Sequence, residues 1–122
     1  MSACTATIAQ AGDGLVPLLT QRLGEDAVRL AKPEEGTLAH ELGEYHVHCH
    51  FGRSPEHVIG VFVRPQINGS PYYEAKMAPV PLDAIKGAAD EQTIRLLLGE
   101  TIYPQTQGEL VDLLESVRSA LT

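Results

Sequence analysis

Histidine gathers at one place in this chain. His46-Val47-His48-Cys49-His50 sets three imidazoles at alternate positions, and His40 and His57 flank the run. On an extended strand, residues i and i+2 share a face with their backbones roughly 6–7 Å apart. Two such imidazoles can converge on one zinc or another divalent transition metal, which makes His46, His48 and His50 candidate metal ligands in a small metal-dependent enzyme or metal sensor. Three same-face histidines span about twice that distance, so a further ligand has to come from His40, His57 or Glu74. Pairing across the turn at residues 52–55 is expected to place His48 opposite Val61 or Phe62, neither of which is a ligand, while Arg64 and Lys76 repel a cation. The competing reading is a row of histidines on a sheet face that pack through their rings and bond through their nitrogens. The incomplete ligand set favours that second reading.

Other reactive combinations are weaker. Alternation turns the Cys49 thiol to the face opposite His48 and His50, so it has no adjacent base to make it a nucleophile. The chain contains no phosphate-binding loop, no dinucleotide fingerprint, no HExxH and no Gly-x-Ser-x-Gly. Gly12-Asp13-Gly14 precedes a helical pattern, but the carboxylate of Asp13 suits a helix cap better than an anion site. Asn68-Gly69-Ser70 matches a glycosylation sequon and reads as a turn. Tyr72, Tyr73 and Tyr103 are mild hints of an interface.

The elements that must position these residues follow from periodicity. Val16, Leu19, Leu23, Ala27 and Leu30 recur at helical spacing, with Gly24 in the middle. Either one helix runs through to Leu30, or it stops near Leu23 and Ala27–Ala31 begins a strand. Leu38 and Leu42 suggest a short strand turned by Gly43-Glu44. Tyr45, Val47, Cys49 and Phe51 then alternate with the histidines, and the apolar run Val58 to Val63 predicts a central strand covered on both faces. Asn68-Gly69 signals a hairpin into a strand over Tyr72–Met77. Asp83 or Asp90 can cap a helix carrying Ile94, Leu97 and Leu98 and stopping at Gly99. Thr106-Gln107-Gly108-Glu109 has capping-box spacing, and Leu110, Leu113, Leu114, Val117 and Leu121 form the apolar stripe of a final helix.

The fold class predicted is α+β: an antiparallel meander sheet of three to five strands packed with an N-terminal helix and two C-terminal helices. At 122 residues the chain is the size of one domain, 1–122, with residues 1–12 expected to be flexible. Helices on one side only would leave the other face of the apolar central strand open, and a homodimer through that face or through the C-terminal stripe would cover it.

Nine Lys and Arg against 16 Asp and Glu give a net charge of −7, with no basic cluster to contact phosphates. Direct nucleic-acid binding is therefore not expected. Cys4 and Cys49 do not form a disulfide framework, and no export signal or apolar span is visible, so a cytoplasmic, non-membrane protein is expected. The function expected is that of a small acidic non-enzymatic protein-binding protein, such as an adaptor, dedicated chaperone, immunity protein or inhibitor, acting on a basic protein partner without a cofactor. The metal-dependent enzyme or sensor is its competitor.

Overall fold

A computed structural model describes residues 14–52, 56–64, 71–87 and 89–121. Helix α1 (Leu15–Leu23) is followed by a 3-10 turn and strand β1 (Val28–Ala31). A one-turn helix α2 (Leu38–Glu41) leads to strands β2 (Tyr45–Phe51), β3 (His57–Arg64) and β4 (Tyr72–Met77). Helices α3 (Glu91–Leu97) and α4 (Gln107–Leu121) close the chain. The strands form one antiparallel sheet in the order β1-β2-β3-β4. This is the expected α+β arrangement, with four strands.

Of the two readings for residues 24–31, the strand is realised. Helix α1 ends at Gly24, and β1 pairs with β2 so that Val28 meets Cys49 and Leu30 meets Val47 on the core side. The expected strand around Leu38 and Leu42 is instead the short helix α2. Thr37 Oγ1 accepts a hydrogen bond from the His40 backbone N–H at 3.2 Å, and this cap favours a helical turn over extended backbone. Gly12, Asp13, the Asn68-Gly69-Ser70 turn, Cys4 and the first 12 residues lie outside the described residues.

The register between β2 and β3 also differs from expectation, because His48 pairs with Gly60 rather than with Val61 or Phe62. Pairing with Val61 would set core-facing positions against outward-facing ones. The observed register joins Tyr45 to Val63, Val47 to Val61 and Cys49 to Ile59, all buried, so burial selects the parity.

Local chemistry sets the helix ends. Asp90 caps α3 by accepting from the Thr93 backbone N–H at 3.0 Å. Beyond α3, Gly99 has φ +99°, and a Cβ there would stand 2.8 Å from Cγ of Pro79, so conformation and space both demand glycine. The buried side of α3 is Thr93, Leu96 and Leu97, whereas Leu98 lies past the last turn and is 48% exposed. At α4, the Glu109 N–H donates to Thr106 Oγ1 at 3.1 Å, and Glu109 Oε2 accepts from the Gln105 N–H at 2.8 Å, one residue earlier than a capping box places it.

The core lies between one face of the sheet and the helices. Helix α1 packs on α4, and α3 packs on both α4 and β4. Leu110, Leu113, Leu114 and Val117 of the α4 stripe are all buried within the single chain. The edge of β4 is partly covered, because Ala75 and Ile102 exchange two backbone hydrogen bonds of 2.8 and 2.9 Å.

Within the chain, strand β3 is covered on one face only. Ile59, Val61 and Val63 are buried, while Val58 is exposed and Gly60 and Phe62 are half-buried. Glycine adds no side chain to the open face, and Phe62 is shielded by neighbours on that face.

Candidate functional site

Strand alternation builds the open face as a grid. One transverse row runs Arg29, His48, Gly60, Lys76, and the next runs Ala31, His46, Phe62, Glu74. Arg64 and Tyr72 pair at the following level. A shallow basin of about 470 Å³ lies over this grid, lined by His46, His48, Gly60, Phe62, Arg64, Tyr72, Glu74 and Lys76.

One wall of the basin is aromatic. The His46 ring lies 5.1 Å from Phe62, Phe62 meets Tyr72 edge-on at 6.3 Å, and Tyr72 meets Tyr103 at 5.8 Å. Arg64 covers this wall, its Cζ 5.5 Å from the Phe62 centroid and 6.0 Å from that of Tyr72. Its Nε donates to Glu44 Oε1 at 2.7 Å, which fixes the guanidinium in place. The Tyr72 hydroxyl donates to Glu74 Oε1 at 3.1 Å; burial and this carboxylate raise Tyr72 above the ordinary tyrosine value.

Of the candidate histidines, the structure stacks two, ties the third to a carboxylate and leaves His40 and His57 apart. His46 and His48 share the open face, their rings near-parallel with centroids 6.4 Å apart. The third, His50, is paired through Nδ1 with Glu56 Oε1 at 2.5 Å. Glu74 stands two strands from His46 with Phe62 between them, a backbone separation of roughly 10 Å. His40 lies on helix α2, and His57 pairs with Phe51 at the end of the sheet. Among the described residues, no three of His, Cys, Asp and Glu converge as a ligand set.

Cys49 is buried on the core side of β2, and burial pushes its thiol up to about 12. A thiol so placed stays protonated at neutral pH and carries no nucleophilic chemistry.

A second depression, of about 390 Å³, lies on the helical side and includes Arg22, Asp90, Asp112, Glu115 and Ser116 in its lining. Arg22 bridges α1 to α4 through Glu115 at 2.7 Å, and hydrogen bonds from Thr93 hold the Asp90 carboxyl below the ordinary carboxylate value. Asp112 is exposed and has no ion-pair partner among the described residues.

Sequence reasoning singled out the histidines and set Arg64 near them as a repelling cation, but missed Gly60 and the packing of Phe62 on His46. Their signal was the period-two pattern of β3, hidden because both of its faces read as apolar. No family model, curated protein or solved structure matches the chain. No helix among the described residues is long and apolar enough to cross a membrane.

Proposed function

We propose that this chain is a non-enzymatic protein-binding protein, an adaptor, dedicated chaperone, immunity protein or inhibitor, whose acidic surface outside the sheet engages a basic protein partner in the cytoplasm. One observation carries the reading: the acids lie almost wholly outside the strands. The four strands hold Arg29, Arg64 and Lys76 against Glu74 alone, so fifteen acids and six bases, a net −9, lie in the helices and connecting segments. A one-signed field of this kind steers an oppositely charged partner and raises its association rate more than its final affinity.

The test begins with capture and identification of a partner from native lysate. Association of that purified partner is then measured at low and moderate salt for wild type and for a variant combining Glu91→Lys with Asp112→Lys, both exposed helical positions. The expected result is an association rate at least roughly tenfold slower in the variant at low salt, with the difference shrinking as salt rises. An equal, salt-independent rate would remove the reading.

A homodimer is an alternative reading of the sheet, decided by the mass in solution. The α4 stripe is used inside the chain, which leaves the open sheet face as the surface where such a dimer would form. The zinc reading keeps one favourable observation, the shared face of His46 and His48, and is decided by metal analysis.

A further inference from the structure

We propose that the open face of the sheet is a second binding surface, at which a carboxylate side chain of an acidic peptide segment seats over Gly60 between His48 and Lys76. Gly60 sits in the interior of β3, where glycine weakens a strand and often marks a close approach by a ligand or another backbone. The fold does not require it. Its φ is not positive, and a Cβ built there would lie 3.8 Å from Cδ2 of His48 and 3.9 Å from the Lys76 carbonyl oxygen, ordinary contact distances. Gly99 makes the contrast, since there both φ and a 2.8 Å contact impose glycine. The missing side chain at Gly60 leaves a notch in the grid that a larger residue would fill.

The chemistry around the notch is cationic. Arg29 and Lys76 stand at the two ends of the row through Gly60, three strand spacings or roughly 14 Å apart at the backbone. Both are exposed, and neither has an ion-pair partner among the described residues. Side chains of this length can lean toward the centre of the row, where His48 adds a ring nitrogen. Glu74, in the next row, is engaged by the Tyr72 hydroxyl; it opposes an anion there and so confines a carboxylate to the row over Gly60. Beside the notch, Phe62 and Tyr72 offer aromatic surface to an apolar side chain next to that carboxylate.

Three features select a peptide as the occupant. The basin is open along the sheet, which suits a chain passing over it better than a small molecule that must be enclosed. The cationic row is one residue wide, too narrow to neutralise a polyphosphate backbone on a chain of charge −7. The acids nearest the face are engaged, Glu44 by Arg64 and Glu56 by His50. The local sign of the sheet face is therefore what an approaching segment meets.

The proposal is independent of the acidic-surface reading, and its test uses different variants. A dye-labelled decapeptide of glutamates around one central phenylalanine is titrated at low salt into the full chain, with backbone amide shifts recorded in parallel. Saturable binding is expected, with shifts concentrated at Arg29, His48, Gly60 and Lys76 and with about tenfold weaker affinity in Gly60→Leu and in Lys76→Glu. Should Gly60→Leu fail to fold, Lys76→Glu carries the test alone. Absence of saturation, affinity unchanged in the folded variants, or tighter binding of a ten-nucleotide oligothymidylate would each overturn the proposal. So would a dimer in which the Gly60 face is buried, which would show His48 merely covering a glycine.

Discussion

At the scale of single residues, His48 decides between metal and no metal. It is common to both adjacent histidine pairs, yet its cross-strand neighbours are Arg29 and Gly60, neither of which binds a divalent ion. His48→Ala is expected to change stability by no more than about 0.5 kcal/mol, as for a surface substitution, and to leave metal content unchanged in elemental analysis of the purified protein. Stoichiometric zinc in the wild type, lost in the variant, would instead establish the enzyme or sensor. Cys49 gives a second expectation. In a Cys4→Ser background its buried thiol, raised to about 12, should react with an aromatic disulfide reagent only as fast as the chain opens. Rapid stoichiometric labelling of the native protein would contradict the placement of Cys49 in the core.

At the scale of elements, the helix ends carry measurable stability. Asp90 caps α3, and Asp90→Ala is expected to cost about 1 kcal/mol in chemical denaturation. The folded-state value of Asp90 is depressed by its hydrogen bonds from Thr93. Its contribution is therefore complete above the unfolded value near 3.8 and is lost as pH falls through the folded value. The variant and the wild type should converge in stability as the medium becomes strongly acidic, and a difference that persisted or grew there would assign the cap another origin. Helix α4 is held by apolar contact. Leu114 is fully buried, and Leu114→Ala should cost about 2–5 kcal/mol through lost transfer energy and the cavity left behind.

At the scale of the whole molecule, the strands carry a small excess of positive charge, the rest of the chain carries the acids, and within the chain only one sheet face is covered. A symmetric dimer through the open face would bring three cations and one carboxylate against their own copy. Light scattering at tens of micromolar is expected to return a mass near 13.2 kDa. A mass of twice that value would assign the open face to a second copy and leave the peptide site without room.

The sequence by itself determined those features in which each residue responds to its near neighbours. The alternation in Tyr45–Phe51 fixed a strand with His46, His48 and His50 on one side, because successive side chains of an extended chain must diverge. Thr106 and Glu109 announced the start of α4, and its stripe announced the buried side. The same local logic misread Leu38 and Leu42, where a four-residue helix is too short to show a period. Tertiary structure alone decided what depends on partners distant in sequence. The pairing of His48 with Gly60, the loss of Glu74 as a ligand and the row Arg29, His48, Gly60, Lys76 all follow from register across four strands. The parity of that register is set by which apolar residues are buried together under the helices. Val58 to Val63 shows the division most plainly: its composition predicted cover on both faces, and only the assembled sheet showed that a glycine and a shielded phenylalanine leave one face open.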